Sequence, residues 1–411
     1  MTLLKNIKTL YTCPLHGEAN EIGTIDHAAI VWHGRKIIWV GQEADLPADL
    51  PHTEEVIDAK GQIVIPGLVD CHTHLAFGGW RENEFAMRCQ GVGYLEIAKR
   101  GGGIACSVEQ LRGASEETLL AHCQEQSQKM AKLGVTTIEC KSGYGLSTES
   151  ELKTLRVYQQ LSKIVPQTIV STFLGAHVVP TEYKRDPDGY LDLLCEELLP
   201  QVAEEKLATF CDVFVEEGAY SIDQGRRFLT CGQKYGLKAK LHVDQLTSGG
   251  GAELAAEMRA VSADHLEFAS EEGIEKMVEA GVVAVNLPLA SLYLKQPPLD
   301  SRKWIRAGGK VAVATDFNPG SAPSYHLPLA MMLSCVMSYM TPEQSLKGAT
   351  IYGAKAIGLE EEIGSLEVGK KADLVILDSP SIDHWLYHFE PNRTSDVFIS
   401  GKQVVANGDL V

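Results

Sequence analysis

Short apolar runs, each closed by polar residues, recur through the middle of the chain. Such runs are typical of strands buried on both faces of a parallel sheet. Eight of them occur, at residues 63–74, 135–145, 168–177, 211–216, 238–245, 260–267, 282–288 and 310–319. Helical patterns such as 117–134 and 151–165 separate most of the runs. This alternation predicts a parallel sheet of α/β type, and eight units fit a TIM-like (β/α)8 barrel.

An open, doubly wound sheet is the alternative arrangement for the same strands. The residues that end the runs favour the barrel, because nearly every run ends on a side chain that can bind a ligand. They are His72, His74, Lys141, His177, Glu216, His242, His265, Asn286 and Asp316. A barrel directs all eight strand ends to one mouth, whereas an open sheet spreads them out.

Both ends of the chain read as short strands. Residues 28–41 have the pattern of a hairpin that turns at His33 and Gly34, and residues 372–378 and 395–408 repeat it. We therefore expect a small, β-sandwich-like domain built from residues 1–65 and 360–411. The barrel would occupy residues 66–359.

Composition narrows the class of function. The chain has 411 residues, with 37 Lys and Arg against 54 Asp and Glu, giving a formal charge of −17. This charge argues against nucleic acid or an anionic membrane as a partner and favours a small-molecule substrate. Ten scattered cysteines without a Cys-x-x-Cys pair suit a reducing compartment, and the first residues lack a secretory pattern. We expect a cytoplasmic enzyme.

The strongest chemical signal is the segment Asp-Cys-His-Thr-His at residues 70–74. Side chains two apart on a strand share a face, so His72 and His74 can bind one divalent metal. His242 is the best third ligand, and Asp316 can add a carboxylate oxygen. Three nitrogens and one oxygen suit zinc or iron. The alternatives are hydrogen-bonded surface histidines, a core His242 and a helix-capping Asp316.

Two further histidines exceed what one metal needs, since a catalytic metal keeps one position open for water. Histidine exchanges protons near neutral pH, so His265 could accept the proton of the attacking water. His177 could donate a hydrogen bond to a substrate carbonyl. Either side chain could instead be structural.

The chain resembles the amidohydrolase superfamily in its Pro-Gly-x-Val-Asp-x-His-x-His strand, a histidine expected on the sixth strand and an aspartate on the eighth. Within the superfamily it is similar to the imidazolonepropionases. The similar blocks are residues 72–85, 94–104, 141–146, 173–180, 213–221, 262–267 and 315–323.

The resemblance implies a single zinc or iron ion and a homodimer. It assigns the metal to His72, His74, His242 and Asp316, and substrate contacts to Arg81, Tyr144, His177, Gln245, Asn318, Gly320 and Ser321. The implied reaction is hydrolysis of the cyclic amide of 4-imidazolone-5-propanoate to N-formimidoyl-L-glutamate, in histidine degradation. Arg81 suits the propanoate, because a guanidinium pairs with a carboxylate through two hydrogen bonds.

The chain departs from many related enzymes at a residue that would transfer a proton during hydrolysis. Many related enzymes carry His-x-x-Glu where this chain has His242 and Gln245. An amide cannot ionise, so Gln245 can position substrate but cannot carry a proton. Proton transfer then falls to His265 or Asp316, with Asp244 as a further alternative. Lys141 is a second ambiguity, since binuclear relatives carboxylate a lysine near this position.

Two rival functions stay open. One is another reaction of the superfamily, such as a different cyclic amidase or an aminohydrolase that releases ammonia. The other is a barrel that has lost its chemistry, although such proteins typically lose metal ligands and this chain keeps all four candidates.

Overall fold

The computed structural model describes residues 1–48, 54–92, 96–97, 101–388 and 392–411, so part of the block at 94–104 lies outside the described residues. The strands are β1 Thr2–Tyr11, β2 Thr24–His33, β3 Lys36–Gln42, β4 Glu55–Asp58, β5 Ile63–Pro66, β6 Leu68–Thr73, β7 Val135–Lys141, β8 Thr168–Ala176, β9 Phe210–Val215, β10 Lys238–Val243, β11 Ser262–His265, β12 Val283–Asn286, β13 Val311–Val313, β14 Leu374–Leu377, β15 Thr394–Ile399, β16 Lys402–Ala406 and β17 Asp409–Leu410.

The helices are α1 Glu82–Cys89, α2 Ile104–Gly113, α3 Glu116–Lys132, α4 Thr148–Ile164, α5 Pro187–Leu193, α6 Leu199–Glu204, α7 Ile222–Lys234, α8 Gly251–Glu257, α9 Glu271–Ala280, α10 Pro288–Leu294, α11 Ser301–Arg306, α12 Leu327–Ser338, α13 Pro342–Gly348, α14 Ile351–Ala356 and α15 Ile382–Tyr387. A π-helical turn, Leu194–Leu198, joins α5 to α6. Within the described ranges, no helix is long and apolar enough to cross a membrane.

Strands β6 to β13 form an eight-stranded parallel sheet in sequential order. Hydrogen bonds between its first strand and the segment after its last strand close the sheet. The amide of Asp316 donates to the carbonyl of His72 at 3.1 Å, and the amide of His74 donates to the carbonyl of Phe317 at 2.8 Å. All eight predicted strands are present, so the prediction of a (β/α)8 barrel is confirmed.

Strands from both ends of the chain form a second sheet of nine strands. Its order is β17-β16-β15-β14-β5-β1-β2-β3, and β4 pairs with β1. The antiparallel pairing of β14 with β5 joins the C-terminal strands to the N-terminal ones. Trp32, Leu374 and Phe398 belong to a hydrophobic cluster of this sheet that is separate from the core of the barrel.

Serine side chains begin several helices around the barrel. The hydroxyl oxygens of Ser115, Ser147, Ser221 and Ser270 accept hydrogen bonds from backbone amides in the first turns of α3, α4, α7 and α9. Those amides lack a partner within the helix, so each cap stabilises its helix by about 1 kcal/mol. The caps fix where each helix begins after its strand.

The segment 63–74 is not a single strand, as the apolar run suggested. It divides at Gly67 into β5, in the terminal sheet, and β6, the first barrel strand. The amide of Gly67 donates to the carbonyl of Asp373 at 2.9 Å. A Cβ atom at Gly67 would lie 2.3 Å from Oγ1 of Thr136, so only glycine lets the chain pass between the two sheets at this point.

We expect Gly67→Ala to lower the free energy of unfolding by about 1–3 kcal/mol, because the added methyl group overpacks against Thr136. Urea denaturation measures this change. Gly113→Ala is the matched control, since a Cβ there would meet nothing within 4 Å and its φ is not left-handed. Equal stability of the two variants would contradict the steric argument.

Candidate metal centre and active site

Three histidines meet at the carboxyl ends of the barrel strands. The nitrogen atoms that His72, His74 and His242 offer to a metal lie within 4.8 Å of one another. Oδ1 of Asp316 lies 3.3 Å from Nε2 of His72 and 3.6 Å from Nε2 of His74. All four side chains are buried. They form a metal site of three imidazoles and one carboxylate.

Two carboxylates, Asp264 on β11 and Asp212 on β9, orient two of these histidines. Nδ1 of His72 lies 2.8 Å from Oδ2 of Asp264, and Nδ1 of His242 lies 3.0 Å from Oδ1 of Asp212. Each hydrogen bond turns Nε2 of the same ring toward the site. These two Nε2 atoms are buried and lack a hydrogen-bond partner among the described residues. Unpaired buried nitrogens aimed at one point fit a bound cation such as zinc or iron.

Lys141 lies beneath the metal site and is fully buried. Its Nζ is 2.8 Å from Oδ2 of Asp212, 2.9 Å from Oε1 of Glu139 and 3.2 Å from Oδ2 of Asp264. Burial alone would lower the pKa of Lys141, but Asp212, Glu139 and Asp264 raise it well above the ordinary value of an ammonium group. Lys141 therefore pairs with carboxylates as a cation, and holds the two acids that orient His72 and His242.

His265 and Asp244, two of the candidate bases, lie in different surroundings. The ring of His265 is 5.9 Å from that of His72 and 5.6 Å from that of His242, measured between centroids. The carboxylate of Asp244 instead accepts hydrogen bonds from the backbone amides of Gly249, Gly251 and Ala252 at 2.8–3.1 Å. Asp244 thus fixes the glycine-rich segment 249–251 at the start of α8.

The rings of Tyr144 and His177 both lie against the ring of His74. The His177 ring stacks on that of His74 at 5.2 Å, and Tyr144 is 5.4 Å from His74. Nδ1 of His177 lies 3.0 Å from the carbonyl oxygen of Gly143. Burial and the neighbouring His242 lower the pKa of His177 to about 3, so this imidazole is neutral. A neutral imidazole donates through one nitrogen only.

A buried acid organises the glycine-flanked loop that carries Tyr144. The carboxylate of Glu151, in the first turn of α4, accepts hydrogen bonds from the amides of Gly143, Gly145 and Leu146 at 2.8–3.2 Å. Glu151 is absent from the candidates that the sequence suggested. Its place in the first helical turn does not distinguish it, since Glu is common at helix starts.

Arg81 lies beside the turn at residues 318–321. Its Nε and Nη2 donate to the carboxylate of Glu84 at 2.8 and 2.7 Å. A Cβ atom at Gly320 would lie 2.1 Å from Nη1 of Arg81, so glycine permits this approach. Oδ1 of Asn318 accepts hydrogen bonds from the amides of Gly320 and Ser321, at 2.8 and 2.7 Å. The structure thus brings these four candidate residues together.

The resemblance places the metal histidine, His242, on the sixth barrel strand, and that strand number is wrong. His242 is on β10, the fifth strand of the barrel, and His265 ends β11, the sixth. Gln245 follows β10 and is half-buried.

The supporting acids absent from the sequence-based candidates are Glu84, Glu139, Glu151, Asp212, Asp264 and Glu267. Charged residues inside buried strands, such as Asp212 and Asp264, were the available signal, since unpaired ones are rare in cores.

Comparison with known proteins gives a consistent picture. Residues 63–404 match the family model described as the amidohydrolase family. Imidazolonepropionase from Shouchella clausii strain KSM-K16 is 47% identical over 397 residues, which cover 96% of this chain and 89% of that protein. Imidazolonepropionase from Alkaliphilus oremlandii strain OhILAs is 44% identical over 417 residues, covering 99% of each chain.

Solved structures with a similar fold are more distant in sequence. Adenosine deaminase from Xanthomonas campestris with bound zinc has a TM-score of 0.74 at 18% identity, covering 100% of this chain and 94% of that one. Atrazine chlorohydrolase from Arthrobacter aurescens TC1, complexed with zinc, has a TM-score of 0.69 at 16% identity, covering 100% and 96%. At these identities the likeness establishes the fold alone.

We expect Lys141→Met to destabilise the protein by about 3–5 kcal/mol, because three buried carboxylates lose their shared cation. Metal affinity should fall by about 10–100-fold, since Asp212 and Asp264 no longer hold His72 and His242 in place. Urea denaturation and elemental analysis measure the two effects. The exposed Lys129, which pairs with Glu125, supplies the control Lys129→Met. Native stability and metal content in Lys141→Met would contradict this role.

Proposed function

The chain belongs to the amidohydrolase family and, within it, to the imidazolonepropionases, and from this premise we propose how its residues act. The reaction is hydrolysis of the cyclic amide C–N bond of 4-imidazolone-5-propanoate to N-formimidoyl-L-glutamate. The observation that carries the proposal is the convergence of three histidines and Asp316 at the barrel mouth, beside Arg81 and Tyr144. We place the reaction in the cytoplasm and in a homodimer.

His72, His74, His242 and Asp316 would hold one zinc or iron ion per chain. When bound, such an ion would lower the pKa of a water toward about 7 and polarise the ring carbonyl. Nζ of Lys141 already donates to Glu139 and Asp212 as an ammonium, at 2.9 and 2.8 Å, so this lysine offers no carboxylated bridge to a second ion. This pairing supports a mononuclear centre.

His265 is the proposed general base. It is buried at the strand ends, and it is not one of the three histidines grouped as metal ligands. In the proposed step its ring accepts a proton from the attacking water. The same proton then passes to the ring nitrogen of the substrate as the C–N bond breaks, with Asp316 assisting. Gln245 positions the substrate, since its amide carries no titrating proton.

Binding of the substrate falls to groups on both sides of the metal site. The Arg81 guanidinium, which Glu84 orients through Nε and Nη2, would pair with the propanoate, and the turn at Asn318, Gly320 and Ser321, whose two amides donate to Oδ1 of Asn318, leaves room for Arg81 and supplies the Ser321 hydroxyl. Tyr144 and the neutral His177 lie against His74; because the single proton of His177 is donated from Nδ1 to the carbonyl of Gly143, its Nε2 would accept a hydrogen bond from an N–H of the substrate ring and does not donate to the ring carbonyl as the sequence suggested. The charged end of the substrate is thus held away from the bond that breaks.

The assay follows the ring of imidazolone propanoate directly. The purified protein should abolish the ultraviolet absorbance of the ring, and NMR should identify N-formimidoyl-L-glutamate as the product. An aminohydrolase would release ammonia and leave the ring closed, and a barrel without chemistry would leave the substrate unchanged. Either outcome would refute the proposed function.

We expect His265→Ala to lower kcat by about 10²–10⁴-fold, the usual contribution of a general base. Metal content should remain that of the native protein, because the four ligands are intact. Gln245→Glu serves as the comparison and should be less damaging, since it introduces the carboxylate that many relatives carry. A His265→Ala protein without metal would make His265 a ligand and transfer the base role to Asp316.

We expect Arg81→Ala mainly to raise KM, because Arg81 binds the propanoate away from the scissile bond. Loss of a charge-assisted hydrogen bond costs about 1.5–3 kcal/mol, equivalent to about 10–150-fold in KM. Steady-state kinetics separates KM from kcat. Arg156→Ala is the control, since Arg156 forms an exposed pair with Glu205 on the outer face. An unchanged KM in Arg81→Ala would place Arg81 outside the binding site.

A further inference from the structure

We propose that Glu267 is a positioning residue that orients His265 through Nδ1 of its ring. This inference rests on the proposed role of His265 as the base. Nδ1 of His265 lies 3.9 Å from Oε1 of Glu267, and the two side chains are 4% and 2% exposed. Glu267 lies two residues beyond the end of β11, and it is neither a metal ligand nor a substrate-binding candidate.

Each side chain has a buried polar atom without a partner. Among the residues that the structure describes, Nδ1 of His265 and Oε2 of Glu267 are both buried and make no hydrogen bond. Buried polar groups are almost always hydrogen-bonded, and each of these residues supplies what the other lacks. The 3.9 Å separation between Nδ1 and Oε1 is longer than a hydrogen bond, but hydrogen bonds in active sites often tighten only when the substrate binds.

The backbone turn that begins at His265 brings the side chains of His265 and Glu267 close together. His265 and Leu266 have φ values of 77° and 67°, both in the left-handed region that non-glycine residues rarely adopt. The amide of Leu266 donates to the carbonyl of Val243 at 3.0 Å, and the amide of Phe268 donates to the carbonyl of Asp244 at 2.8 Å. Such a strained turn, held by hydrogen bonds, is typical of functional sites.

Ser291 holds Glu267 from a different element. Its hydroxyl, on α10, lies 3.1 Å from Oε1 of Glu267. A carboxylate fixed in this way accepts the Nδ1 proton of His265, and so leaves Nε2 as the proton acceptor. It also stabilises the imidazolium that forms when Nε2 takes the proton from water, before that proton passes to the leaving ring nitrogen.

The first test is Glu267→Gln in the metal-loaded enzyme. We expect kcat to fall on the order of 10–100-fold, the usual effect of removing a residue that supports an active-site side chain. KM and metal content should stay native. The control is Glu275→Gln, an exposed position on α9. Ser291→Ala should lower kcat by a smaller factor at native KM, and it provides a second variant if Glu267→Gln does not fold.

A double-mutant cycle separates positioning from a merely structural role. If Glu267 acts through His265, the double variant His265→Ala/Glu267→Gln has the same kcat as His265→Ala alone. Multiplicative losses, or a native kcat in both Glu267→Gln and Ser291→Ala, would overturn this inference alone. A native kcat in His265→Ala would instead overturn the proposed base, and the inference with it.

Discussion

The metal site depends on one buried lysine. Asp212 and Asp264 hold the rings of His72 and His242, and both acids share the ammonium of Lys141. Two adjacent buried carboxylates repel each other strongly unless a cation lies between them. The lysine therefore offsets part of the negative charge of Asp212 and Asp264. It keeps both acids in position to orient the two imidazole rings, and metal binding depends on that orientation.

The barrel also imposes an unusual backbone on the three candidate bases, which end or follow its strands. Asp244, His265 and Asp316 have φ values of 50°, 77° and 55°, at or just beyond the ends of their strands. A residue in the left-handed region cannot continue the extended strand, so the chain turns at each of these positions. Each such residue costs about 1–2 kcal/mol, which the surrounding hydrogen bonds offset. The amide of Asp316, for example, donates to the carbonyl of His72, a bond that also closes the barrel.

Much of this architecture could be predicted from local patterns, because apolar runs, strand-end histidines and the spacing of His72 and His74 are local features. The break at Gly67 could not, since the steric reason lies in Thr136, a residue distant in sequence. The hydrogen-bonded pairs that orient the metal histidines could not be predicted either, because His72 and Asp264, for example, are 192 positions apart. Which acid faces which histidine depends on the stagger of the closed barrel, and a single sequence does not display that stagger.

The loops that carry the substrate-binding candidates are held in place differently from the metal ligands. Two metal ligands, His72 and His242, lie on strands, and the backbone hydrogen bonds that close the barrel hold His74 and Asp316 just beyond strand ends, whereas the substrate-binding candidates lie on loops outside the strand ladder. Acids outside the metal site hold these loops in place through hydrogen bonds. Glu151 binds the amides around Tyr144, Glu84 holds Arg81, and Glu216 accepts the amide of Leu246 at 2.8 Å, next to Gln245. Because each carboxylate accepts two or more hydrogen bonds, it restricts a loop that would otherwise lose entropy on binding. The barrel backbone therefore positions the metal site, and these acids position the loops that carry the substrate-binding candidates.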